Sequence, residues 1–162
     1  MLFRSVAPAD HIILKEAIFR DKINVALQAT AQADVLVTLG ITPTRPDTGY
    51  GYIQYLPSQH SAQKVKTFTE KPQIDIAVKF LESGDFVWNA GIFVWSASAI
   101  LKAFKQHLPQ IAEVFEAGNG AYYTDEEPAF IERAYTLCKN VDRKSTRLNS
   151  SHITPSRMPS SA

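Results

Sequence analysis

Asp34-Val-Leu-Val-Thr-Leu-Gly-Ile41, continued by Thr42-Pro-Thr-Arg-Pro-Asp-Thr48 and Gly49-Tyr-Gly-Tyr-Ile53, is the stretch on which the reading of the fold turns. Residues 34–41 are apolar or β-branched at nearly every position, the composition of a strand buried on both faces. The two prolines within 42–48 make a loop, and Gly49 and Gly51 permit close backbone approach where the next strand starts. Upstream, Ile18, Phe19, Ile23, Ala26, Leu27 and Thr30 recur at helical spacing from Leu14 to about Ala33, with no Gly or Pro inside. Further upstream, Val6-Ala-Pro-Ala-Asp10-His11 looks like a strand end running into an acid. Strand, amphipathic helix and buried strand in that order form a βαβ pattern and predict an α/β fold.

Downstream the period changes. Lys64-Val-Lys-Thr-Phe-Thr-Glu70 alternates in twos, so one face is wet, and with residues 50–55 it predicts an antiparallel excursion from the parallel pattern. Ile74 to Ser83 reads as a short helix with Gly84 in the C-cap position. Phe86 to Trp95 reads as a buried strand interrupted by Asn89 and Gly91. Ser96 is placed to cap a helix running to His107, which Pro109 stops. Weaker helical signals follow near 110–116 and 129–138.

The chain has 162 residues, 45% of them hydrophobic, with Lys+Arg 17 against Asp+Glu 16. That near-neutral balance argues against a basic nucleic-acid-binding face, which needs clustered cations. No apolar run is long enough to span a bilayer, and residues 1–10 lack the apolar centre of a signal peptide, so a cytoplasmic protein without membrane contact is expected. The single Cys138 excludes a disulfide framework and reads as a small buried apolar residue.

Composition breaks at Asp142. Residues 142–162 hold six Ser, two Pro, no aromatic residue and no periodicity, and are expected to lack regular structure. Codons GTG CTC TTC CGA TCT, with GTG as initiator, fit Met1 to Ser5, and their reverse complement, read one base on, fits Asp142-Arg-Lys-Ser145 and the start of Thr146. That inverted string resembles a common sequencing-library adapter. Residues 1–5 and 142–162 are therefore expected to be adapter-derived, and residues 6–141 to be part of a larger domain. The mild basicity then belongs to the ends, which carry Arg4, Arg143, Lys144, Arg147 and Arg157 against the single acid Asp142.

Four constellations carry chemistry. Asp10, directly after a strand, is placed either to hold a metal-bound phosphate at the carboxyl end of a sheet or to cap a helix. His11, His60 and His107 have no companion ligand at a known spacing. Gly49-Tyr50-Gly51-Tyr52 brings main-chain groups within reach of a polar ligand, or marks a bulged strand. Glu70-Lys71-Pro72 sets a carboxylate that accepts hydroxyl hydrogen bonds beside an ammonium that meets phosphate, or is a solvated charge pair. Asn89, an amide inside an apolar strand, needs partners from a structural network or from a ligand.

In their order, Pro8-Ala-Asp-His11, the block Thr38 to Ile53, Glu70-Lys-Pro72 and Trp88-Asn-Ala-Gly-Ile-Phe93 resemble the sugar nucleotidyltransferases across essentially all of residues 6–141. The Trp88-Asn89 element leans toward their mannose-1-phosphate guanylyltransferase branch, with Ala90 where Ser is common. The resemblance implies part of a GT-A-like, Rossmann-type domain with a mixed sheet. It implies GTP and mannose 1-phosphate as substrates, GDP-mannose and pyrophosphate as products, and Mg²⁺ as cofactor. It implies Asp10 as a metal ligand, Gly49, Tyr50 and Gly51 as the strand against the sugar, and Glu70 as the acid on its hydroxyls. Lys71 is implied as the catalytic lysine at the sugar phosphate and Asn89 as a lining residue of the same pocket. Such chemistry runs on positioning and charge neutralisation, so the lack of a nucleophile triad is consistent with it. The family's glycine-rich nucleotide loop and second metal aspartate are not matched, and an inactive fragment with an exposed sheet edge is expected. A glucose-1-phosphate thymidylyl- or adenylyltransferase and a non-catalytic sugar-phosphate-binding domain are the alternatives. Homo-oligomer formation and a fused isomerase domain stay open.

Overall fold

The computed structural model describes residues 2–138 and the backbone of 153–158. It divides into two compact units, residues 1–99 with 149–162, and residues 100–148.

The first unit is built on one sheet. Strand β5 (Phe86–Ser96) is the longest and lies at its centre. Along one edge of β5 runs β2 (Leu36–Ile41), antiparallel. The opposite edge is shared: β3 (Tyr52–Leu56) pairs with residues 86–88 and β1 (Phe3–Val6) with residues 93–96, both antiparallel. β4 (Lys64–Thr69) adds to β3 as an antiparallel hairpin, the excursion the alternating pattern predicts. β1 and β2 thus run parallel to each other with β5 between them. The βαβ reading is corrected here to a split unit, because periodicity identifies strands but not which strand occupies the slot between two of them. The first strand also lies at Phe3–Val6, ahead of the Val6–His11 stretch expected to end it.

Helix α1 (Glu16–Gln32) packs Phe19, Ile23, Ala26 and Leu27 on Val37 and Leu39 of β2 and Ala90, Ile92 and Val94 of β5. Helix α2 (Ile74–Ser83) covers the other end of the same face, with Ala77 and Phe80 against Tyr52, Phe86 and Trp88. Phe80 stacks on Phe86 with ring centroids 3.9 Å apart. Gly84 ends α2 at φ 74°, the left-handed cap its position predicts. On the sheet's opposite face Ile53, Tyr55, Val65 and Val87 make a smaller core.

Residues 142–162 were expected to lack regular structure, yet 153–158 form β6 (Ile153–Met158), parallel to β2. The correction has a simple cause. The outer edge of β2 presents unpaired N–H and C=O groups, and an extended segment without hydrophobic periodicity can pair with them, Pro155 contributing only its carbonyl. The remainder of 142–162 lies outside the described residues.

Helix α3 (Ala97–His107) starts in the first unit, where the Ala99 N–H donates to the buried Ser96 hydroxyl at 3.1 Å, the predicted cap. In the second unit Pro109 opens helix α4 (Pro109–Glu116), a first-turn position where its missing N–H costs nothing. Helix α5 (Glu127–Leu137) packs on α4 through Phe115 and Tyr135, edge to face at 5.7 Å. Gly118 lies so close to the Phe130 ring that a Cβ would sit 2.0 Å from it. Cys138 is the C-cap of α5 and half-exposed, not buried as expected, because the helix ends there.

Candidate functional site

The split edge of β5 leaves a gap. β3 pairs as far as Trp88 and β1 begins at Phe93, so residues 89–92 face the carboxyl end of β1 and the start of β3. On the β2 side the register also breaks there. Between the pairs Thr38↔Phe93 and Gly40↔Asn89, β2 places Leu39 alone against Ala90, Gly91 and Ile92. β5 bulges, with Gly91 at φ 69°. The bulge frees backbone groups, and two side chains satisfy them. The Gly91 N–H donates to Asn89 Oδ1 at 3.1 Å, and the Ile92 carbonyl accepts from Thr38 Oγ1 at 3.2 Å. Thr38 Oγ1 also lies 3.2 Å from Asn89 Oδ1. Asn89 is therefore held by a structural network through its oxygen, while no group among the described residues bonds its Nδ2.

Gly51 stands between two of the predicted residues. Its carbonyl accepts the Asn89 N–H at 2.8 Å, one step beyond the Tyr52↔Trp88 pair. Across the hairpin, a Cβ at Gly51 would come 2.8 Å from Glu70 Oε2, so glycine is what lets that carboxylate lie against the main chain. Because Tyr52, Trp88 and Thr69 are directly paired, Gly51, Asn89 and Glu70 share the face opposite α1 and α2. Glu70 is exposed, and neither it nor Lys71 has an ion-pair or hydrogen-bond partner among the described residues. Lys71 takes φ 42°, a left-handed conformation that costs an L-residue about 1 kcal/mol or more and turns the chain immediately after Glu70. Pro72, buried, anchors that turn.

The loop before β3 is tied down on the α2 side. Asp47 Oδ2 accepts from Arg45 Nη2 at 2.8 Å and Oδ1 from the Gly49 N–H at 2.9 Å. The Asp47 N–H donates to the Tyr52 hydroxyl at 2.9 Å. Tyr50 stacks on Trp88 with centroids 4.8 Å apart, and the Arg45 guanidinium lies 5.5 Å from the centre of the same indole. Trp88 is 6% exposed, and its Nε1 is buried with no hydrogen-bond partner among the described residues. Gly49 and Tyr50 thus belong to a rigid loop, not to β3, whose ladder starts at Tyr52. Arg45, Asp47 and Thr38 escaped the sequence reading. The Asp-x-Gly spacing at 47–49 was a usable signal for the side-chain-braced turn, whereas the Thr38 contact spans 51 residues and had none.

Asp10 is exposed in the turn after β1. Pro8 of the same turn sits 3.3 Å from where a Gly91 Cβ would be, which brings this segment alongside the bulge. Asp10 offers one hard oxygen donor, and no group of three or more His, Cys, Asp or Glu able to hold a metal occurs among the described residues. A Mg²⁺ ion commonly takes one or two carboxylates and fills its octahedron with substrate phosphates and water, so a single aspartate fits as a partial ligand set.

No helix among the described residues is long and apolar enough to cross a membrane. The sequence profile of the nucleotidyl transferase family matches residues 4–132. A putative mannose-1-phosphate guanylyltransferase of Vibrio cholerae is 42% identical over 107 residues, 65% of this chain and 23% of its own. The mannose-1-phosphate guanylyltransferase of Escherichia coli K12 is 36% identical over 141 residues, covering 82% of this chain and 29% of its own. A Thermus thermophilus crystal structure described as mannose-1-phosphate geranyltransferase superposes with a TM-score of 0.80 at 26% identity, over 96% of this chain and 44% of that one. The chain thus spans about a quarter of the length of these curated relatives. A family profile over most of the sequence shows that the chain belongs to the nucleotidyl transferase family.

Proposed function

We propose that this chain forms the sugar-phosphate side of a guanylyltransferase that converts GTP and mannose 1-phosphate to GDP-mannose and pyrophosphate. The observation that carries this reading is the seating of Glu70 on Gly51 beside Asn89, on one face of the sheet at a break in its edge. A carboxylate with both oxygens available accepts hydrogen bonds from adjacent sugar hydroxyls, and the Asn89 Nδ2 donates to a sugar or phosphate oxygen. The Lys71 ammonium, next to Glu70, neutralises the sugar phosphate as its oxygen attacks the α-phosphorus of GTP and the bond to the β-phosphate breaks. Asp10 would hold Mg²⁺, which when bound neutralises phosphate charge. The relatives' names support the substrate pair, and no residue in the chain needs to act as a nucleophile.

Titration of the isotope-labelled chain with mannose 1-phosphate, followed by NMR, tests the sugar-phosphate half. Shifts confined to residues 49–51, 70–71 and 89–91, and lost in Glu70→Gln, support it. An equal response to inorganic phosphate alone overturns the sugar assignment. In the whole protein, pyrophosphate release from GTP with mannose 1-phosphate, compared with glucose 1-phosphate and with dTTP or ATP, tests the activity; a preference for glucose 1-phosphate or for dTTP or ATP rejects it.

A further inference from the structure

We propose that Thr38 is a positioning residue that holds the Asn89 amide in the orientation the Gly91 N–H sets, with Nδ2 left for the ligand. This rests on the reading of Asn89 as a ligand-facing residue. Thr38 is fully buried on β2, on the sheet face that carries Asn89 and not on the face filled by its neighbours Val37 and Leu39. A hydroxyl there is tolerated only because it is bonded. Its single proton serves two acceptors, the Ile92 carbonyl and Asn89 Oδ1, each at 3.2 Å.

The assignment of the amide is not arbitrary. The Gly91 N–H can bond only an acceptor and so sets Oδ1 at that position, and the Thr38 hydroxyl, sharing its proton between the Ile92 carbonyl and Oδ1, adds a second hold on the oxygen. The bulge supplies one donor and Thr38 the other. With its oxygen held by Thr38 and by the Gly91 N–H, the planar amide turns Nδ2 away from both. Asn89 then offers the site two donors and no acceptor. Glu70 on the same face offers acceptors and no donor. That opposed pair selects a ligand presenting a hydroxyl proton on one side and a bare oxygen, of a hydroxyl or a phosphate, on the other. Without the Thr38 proton, Oδ1 keeps only the Gly91 N–H, which preserves the sense of the amide but holds it less firmly against rotation about its side-chain bonds.

Thr38→Val removes the hydroxyl at constant shape, and Thr38→Ala is a second hydroxyl-free variant should the valine disturb packing; Thr38→Ser restores the proton. The expected result is an affinity for mannose 1-phosphate about 3- to 10-fold weaker in Val and Ala, the worth of one neutral hydrogen bond, and recovered in Ser. In the free chain the two Asn89 side-chain N–H signals should broaden or shift in Val and Ala alone. Wild-type affinity in both hydroxyl-free variants overturns the proposal. If the wild-type chain fails to bind mannose 1-phosphate, the reading of the site falls; the positioning role is then judged on the Asn89 signals, and unchanged signals in Thr38→Val overturn it.

Discussion

Gly51→Ala isolates the central contact of the site. Gly51 does not have a positive φ, so alanine introduces no backbone strain. What it introduces is a Cβ 2.8 Å from Glu70 Oε2 and 3.3 and 3.4 Å from two Phe68 ring atoms. The carboxylate is the end of a flexible, exposed side chain and swings away; the ring, 38% exposed, yields by a few tenths of an ångström. Although Gly51 is buried, the cost to folding should therefore stay at about 1 kcal/mol, near the centre of the range for point substitutions. The cost to binding is larger. A displaced Glu70 forfeits a charge-assisted hydrogen bond to a sugar hydroxyl, worth about 1.5–3 kcal/mol, or roughly 10- to 100-fold in affinity. Calorimetric or NMR titration with mannose 1-phosphate, paired with thermal melts, measures both. Since Glu70→Gln acts through the same carboxylate, the double variant should be hardly weaker than the worse single one. Two results would refute the reasoning: unchanged affinity in Gly51→Ala when Glu70→Gln is impaired, or a fully additive double variant.

Asp47→Ala removes the acceptor of the Gly49 N–H and the partner of Arg45, and should weaken mannose 1-phosphate binding several-fold with little change in melting temperature; Asp47→Asn, which keeps the acceptor, should recover most of it. Gly84→Ala meets nothing within 4 Å but must hold φ 74°, so urea denaturation should show a loss of about 1–2 kcal/mol. For Asp85, burial raises the carboxyl pKa, but hydrogen bonds from the Gln54 and Ser83 side chains and the backbone, with the Lys66 charge, outweigh it and hold the group below its ordinary 3.8. A lowered folded-state value means its stabilisation is fully present above the ordinary value of 3.8 and lost as pH falls through the folded value. Asp85→Asn should thus unfold at lower urea than the parent near pH 7, with the gap closing below about pH 4; a gap independent of pH would discount the charge.

Much of this molecule is legible in its residues. The alternation of Lys64 to Glu70 and the glycine at 84 fixed a wet hairpin strand and a helix end, since strand alternation and a left-handed cap are local requirements. Glu70, Gly51 and Asn89 stand out as a carboxylate at a strand end, a glycine at a strand start and an amide in an apolar run. Their meeting was not legible. Gly51 touches Glu70 only because the β3–β4 register pairs Tyr52 with Thr69, and it touches Asn89 only because β3 stops at Trp88.

By itself the sequence determined the helices, the strands β2 to β5 and the chemical types at the site, because helix, strand, cap and turn preferences act between near neighbours in the chain. Tertiary structure alone decided that β5 separates β1 from β2, that the β2 edge pairs β6, and that Thr38 holds the Asn89 oxygen. Those outcomes depend on which edge is open and which buried donor still needs an acceptor. Such conditions exist only once strands far apart in the chain lie side by side.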